Sequence, residues 1–193
     1  RSPSRGLGDV YKRQQQFLER ESRANQVRRK DISNLNYISI PDNLPLINSG
    51  NETFNQLLSN NSGMMRSYST ITGLKDKKIL NLTGISNTEL KLSYGAANLT
   101  ELTEYDDNFT TLIKAIASLG HALIDNNDSA DALSFLEYGI SIGSDISSNY
   151  IDLAIIYAAT DRFDDIRKLK EKAGMLKSLS RDNIIEQLNN MLK

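Results

Sequence analysis

The sequence predicts an all-α fold assembled from paired helices joined by short turns. Three observations carry that expectation. Apolar residues at Phe109, Leu112, Ile113, Ile116, Leu119 and Leu123 recur three or four positions apart, the spacing of one helical face. The β-branched, period-two alternation that builds sheets is scarce. Residues 113–146 also overlie residues 147–180 without a gap, a period of 34.

Composition bounds the rest. With 193 residues, 39% hydrophobic and 24% charged, the chain suffices for one or two small domains with a buried core. It has no cysteine, which excludes a disulfide framework, a thiolate metal site and a cysteine nucleophile. Its one histidine, His121, cannot form a two-histidine metal motif. No nucleophile stands at a recognisable spacing from it, so a conventional serine triad is not expected. Nothing approaches 18 consecutive apolar residues, so no segment reads as a membrane span.

Residues 15–36 form a basic leader, rich in Arg, Gln and Glu, that favours helix where it orders. Arg28-Arg29-Lys30 fits either the cytoplasmic flank of a membrane helix or an ordinary solvated helix or tail. Next, Tyr37-Ile-Ser-Ile-Pro-Asp-Asn-Leu-Pro-Leu46 reads as extended, because each proline lacks a donor and biases its predecessor away from helix. Tyr37, Ile38, Ile40, Leu44 and Leu46 are expected to pack on the body. Short helices follow over 53–58 and 63–72, separated by Asn48-Ser-Gly50 and Asn60-Asn-Ser-Gly63. Lys78–Leu82 has the content of a strand without an obvious partner. Ser86-Asn-Thr-Glu89 is a capping box, and Gly95 suits the end of its helix.

The long helix is expected to start near Asp106-Asp107, where acids favour an N-terminus. After the turn Asp125–Ser129, Ala132, Leu133, Leu136, Gly139 and Ile140 mark a second helix, which Gly143 closes. Residues 151–159 and 163–173 repeat the arrangement, and a last helix begins at Ser180.

In the 34-residue register Leu119 falls on Leu153, Gly120 on Ala154, Leu123 on Tyr157, Asn127 on Asp161, Ala132 on Ile166 and Gly139 on Ala173. This pattern resembles the tetratricopeptide repeat: the Leu-Gly pair, the large residue three positions on, and the small residues of the second helix stand in place. Small groups let paired helices approach and large ones fill the wedge between them. Ile116 and Tyr150 replace the family's tryptophan, Ile166 replaces a small residue, and no proline ends either copy. An unrelated antiparallel bundle gives similar apolar faces and stays open as the alternative. The expected architecture is thus TPR-like: two copies plus a capping helix over 106–193, with an extended segment and short helices over 37–105. Two copies fall short of the three that stable arrays use, so helices of 51–105 are expected to supply a further layer.

A second resemblance concerns residues 1–14. Asp9-Val-Tyr-Lys-Arg-Gln14 resembles the translated adapter end used to build sequencing libraries, so this stretch is expected to be non-native and the natural start unknown. It carries four basic residues and one acid, and residues 15–30 carry five and two. Residues 31–193 are therefore acidic by seven charges.

The repeat resemblance implies a protein-binding or scaffolding module whose leading helices line a concave surface. The positions that carry over are Lys114, Ala117, His121, Ile124 and Asp125, then Ser148, Ile151, Ile155 and Ala158. Such a surface is mostly apolar and suits an amphipathic helix or an extended peptide. Only Lys114 matches the basic set with which family members clamp a terminal carboxylate, so that ligand is not expected. Whether residues 37–46 fill the groove is open.

Other classes fit less well. His121 with Asp125 four residues on admits a proton-handling pair, yet no companion nucleophile is evident. The acid pairs Asp106-Asp107, Asp125/Asp128 and Asp164-Asp165 fall where capping explains them, and no glycine loop cradles phosphate. An acidic body disfavours nucleic acid. The six Asn-x-Ser/Thr sequons follow from an Asn/Ser/Thr-rich composition, as in an AT-rich bacterial genome. The expectation is a non-catalytic cytoplasmic module with no cofactor and no metal. Any link to a membrane would run through a segment upstream of Gln15.

Overall fold

A computed structural model describes residues 3–46 and 50–193, with side chains described from residue 6 onward. The first two adapter-like residues and most of the Asn48–Gly50 break lie outside the described residues. The described chain is all-helical and holds no strand. It divides into two compact units, Arg1–Asn36 with Gly84–Glu104, and Tyr37–Thr83 with Tyr105–Lys193.

In the first unit, helix α1 (Pro3–Gln26) runs across the 14/15 boundary without a break. Residues 6–14 are exposed throughout, whereas Ala24 is fully buried. Helix α1 packs on α4 (Asn87–Tyr94), where Lys91 Nζ meets Glu21 Oε1 at 3.0 Å and Thr88 donates to the same carboxylate. These bonds hold the Glu21 carboxyl below its usual range, Thr88 contributing most. The capping box forms as expected, with Ser86 Oγ accepting from the Glu89 amide and Glu89 accepting from the Ser86 amide. Gly95 ends α4 at φ +93°, and a Cβ there would lie 2.5 Å from the Arg28 carbonyl oxygen.

That close approach fixes the basic triplet. The Lys30 amide donates to Tyr94 O, and buried Asn98, in the 3-10 turn Ala96–Asn98, donates to both Lys30 O and Tyr94 O at 2.8 Å. Arg28–Lys30 is therefore a pinned, non-helical strap with solvated side chains, not a free tail.

In the second unit, helices α2 (Glu52–Asn60) and α3 (Ser62–Gly73) form a hairpin capped by Asn51 and Asn61. Phe54 of α2 packs edge-on against Tyr68 of α3 and stacks on Phe135, which joins this hairpin to the core. The segment from Tyr37 is non-helical and turns at residues 42–43: Leu44 is buried, Ile38 and Ile40 pack on the core, and Tyr37 meets Tyr105 edge-on. Residues 78–82 are non-helical and form no ladder. The Ile38 amide bonds Ile79 O, and the Leu80 amide bonds Tyr105 O.

Helix α5 (Leu99–Asp125) starts seven residues before Asp106, correcting the expected start. Leu102 and Phe109, both buried and two turns apart, extend the apolar stripe backward. Asp106 is free to cap elsewhere, and its carboxylate accepts the Leu82 amide at 3.1 Å.

Then come α6 (Ser129–Ser141), α7 (Ser147–Ala159), α8 (Phe163–Gly174) and α9 (Arg181–Met191). The turns α5–α6 and α7–α8 are alike at the 34-residue spacing. Asn127 and Asp161 sit at φ 60° and 57°. The Asp128 and Arg162 amides each bond the carbonyl five residues back at 2.8 Å, and the preceding amides each bond three residues back. This is the Schellman closure, with Asn and Asp in the left-handed slot usually given to glycine. Behind these turns, Leu119, Leu123, Ala132, Leu136, Leu153, Tyr157, Ile166 and Ala173 are all buried in one cluster. Helix α9 packs on α7 and α8 through Ile184 and Leu188.

Candidate functional site

Gly120 and Gly139 set how closely α5 and α7 approach α6. A Cβ on Gly120 would lie 2.5 Å from Leu136 Cδ2, so any larger residue would force the Leu136 side chain to shift in this contact between α5 and α6. A Cβ on Gly139 would collide with Asn149 Oδ1 and lie 3.0 Å from Ile116 Cγ2. Asn149 is fully buried at the start of α7 and donates to Leu136 O at 2.9 Å, tying α7 to α6. The hairpins thus place α5 and α7 side by side.

Between them lies a shallow pocket of about 430 Å³, lined by Lys114, Ala117, Ser118, His121, Ile146 and Ser148. Four of the nine expected groove positions (Lys114, Ala117, His121, Ser148) meet there. Asp125 reaches the site indirectly, its Oδ2 lying 3.5 Å from His121 Nε2. Ile124, Ile151 and Ala158 do not line the pocket; they are half-buried and pack on the core. Ile155 is 46% exposed and lies outside the pocket lining.

None of residues 37–46 is among those lining the pocket. Polar contacts of this segment include Ile38 to Ile79, Asp42 to Lys75, and Ser39 O, which accepts from the Tyr138 hydroxyl of α6.

Three participants escaped sequence reasoning: Ser118, Ile146 and above all Asp152. Asp152 sits on α7 amid apolar neighbours, its side chain 9% exposed, and its Oδ2 lies 2.9 Å from His121 Nδ1. The hydrogen bond and charge of Asp152 raise the His121 pKa above 6.5, and Asp125 adds to the shift against partial desolvation. The available signal was a lone carboxylate inside the run Tyr150–Ala159, which costs too much to bury unpaired.

A second polar group joins α6, α7 and α8. The Tyr157 hydroxyl donates to Glu137 Oε1 at 2.8 Å, and the Arg162 guanidinium lies 4.5 Å from the Tyr157 ring centre while pairing with Asp165. Burial and Glu137 push the Tyr157 hydroxyl well above its ordinary pKa. These contacts brace the second hairpin.

Among the described residues, no group of three or more acids and histidine is placed to hold a metal, and no helix is long and apolar enough to cross a membrane. Comparison with family models, curated proteins and solved structures finds no match to this chain.

Proposed function

We propose that residues 106–193 are a TPR-like, non-catalytic module that binds a peptide or helix of a partner protein along the surface between α5 and α7. One observation carries this reading: the α5–α6 and α7–α8 hairpins repeat their turn geometry at 34 residues and leave a pocket between their leading helices. Its Ala117 and Ile146 offer apolar contact, while Lys114, Ser118 and Ser148 offer donors, a mixture that suits a peptide with both kinds of side chain. The non-catalytic assignment rests on His121. Its Nδ1 is engaged by Asp152 and its Nε2 faces Asp125, so the ring has partners on both sides and no nucleophile bonded to it among the described residues.

The test is peptide-library panning on the full chain and on Ser148→Arg, which puts a bulky cation into the pocket from an exposed position. Peptides enriched on the parent are expected to lose at least tenfold in affinity on Ser148→Arg while its thermal melt stays put. Equal binding to both proteins removes the pocket from the reading.

A further inference from the structure

We propose that His121 and Asp152 form a proton-controlled latch joining α5 to α7 at the edge of the pocket, so that shedding the imidazole proton loosens the two helices. The geometry carries this. Asp152 comes from α7, is nine-tenths buried, and meets His121 Nδ1 at 2.9 Å; no other side chain pairs with its carboxylate among the described residues. The pair is thus the polar link between the leading helices, and it borders the pocket.

The charged groups acting on the ring are Asp152 from α7 and Asp125 from α5 itself, the latter at 3.5 Å and exposed to solvent. Lys114, two turns back along α5, is the remaining charged residue of the pocket.

With the ring protonated, Asp152 has a charge-assisted bond, the stronger kind. Once the ring is neutral, a buried carboxylate keeps only a neutral donor, which repays less of its desolvation. The sign follows from linkage. A histidine whose pKa is raised by folding adds stability that is complete below 6.5 and vanishes as pH rises through the raised value. The latch therefore holds in mildly acid conditions and slackens toward alkaline ones. Its bearing on partner binding rests on the groove reading above; the latch itself does not.

Two measurements test it on the full chain. Because His121 is the only histidine, its ring resonances give its titration directly by NMR. The parent is expected to titrate above 6.5, and Asp152→Asn is expected to bring the midpoint down. Because the chain has no cysteine, Lys114→Cys with Ser148→Cys places two spin labels across the groove. Their distance distribution is expected to broaden across the histidine titration, and to stay at one width at every pH when His121→Gln is added. A midpoint at or below 6.5 in the parent overturns the latch. So does an unchanged distance distribution while the ring is seen to titrate. Neither measurement involves a partner, so the latch and the binding reading fail separately.

Discussion

A methyl group added at Gly139 would strike the Asn149 amide oxygen and crowd Ile116, and Asn149 is fully buried where it holds Leu136 O. Gly139→Ala should therefore destabilise by about 1–3 kcal/mol in a urea melt, the range for overpacking a closed site. Gly174→Ala is the matched control. A Cβ there would meet nothing within 4 Å and the residue sits at the end of α8, so a gain of about 0.4–1 kcal/mol is expected from a stiffer unfolded chain. Asp131 gives a pH prediction at the same scale. Burial first, then the hydrogen bond and charge of neighbouring Asp128, raise its carboxyl to about 6, although Asn51 Nδ2 donates to both its oxygens. A raised acid favours the folded state when protonated, so stability should fall as pH rises from about 4 to about 6. Asp131→Asn should flatten that slope; an unchanged slope in thermal melts over this window would remove Asp131 as its source. The sequence pattern singled out the small residues Gly120 and Gly139, and both sit at close helix contacts. Asn149, Asp152 and Asp131 were not singled out, because whether a polar side chain is buried depends on what packs over it from another helix.

At the scale of elements, local chemistry was readable and tertiary demand was not. The Ser86 capping box, the stop at Gly95 and the closure at Gly143 are set by a few adjacent residues, and each stands as the sequence implies. Asp106-Asp107 misled because an acid pair marks a helix start only if nothing upstream continues the apolar stripe; Leu102 does. The turns at Asn127 and Asp161 offer a test of the repeated closure. A non-glycine residue in the left-handed region carries strain of about 1–2 kcal/mol that glycine does not. Glycine's looser unfolded chain offsets part of the relief. Asp161→Gly should thus raise stability by up to about 1 kcal/mol, and Asp161→Val should lower it by more than that, since a β-branched side chain tolerates this region least. If both substitutions left the melt alone, the turn would contribute nothing to the hairpin.

At the scale of the whole chain, stability should be uneven. Every residue of the large core cluster, from Leu44 to Leu188, belongs to the second unit, while the first buries Ala24, Ile32, Leu90 and Leu102. Residues 6–14 bury nothing, so deleting 1–14 should leave the melting midpoint where it is. Local opening costs less where fewer apolar groups leave water. Native-state hydrogen exchange should therefore show faster exchange in α1 and α4 than in α6 and α7. The contrast should appear even within α5, which begins in the first unit and continues in the second. Amides bonded near Leu102 should exchange faster than those beyond Phe109, where Leu112, Ile116, Leu119 and Leu123 are all fully buried. Salt should widen the gap, because the first unit leans on ion pairs such as Lys91–Glu21 and exposed Arg29–Glu101, which screening weakens. Uniform protection along α5, indifferent to salt, would mean that the two units open as one, and the division of the core would then have no consequence for how the chain unfolds.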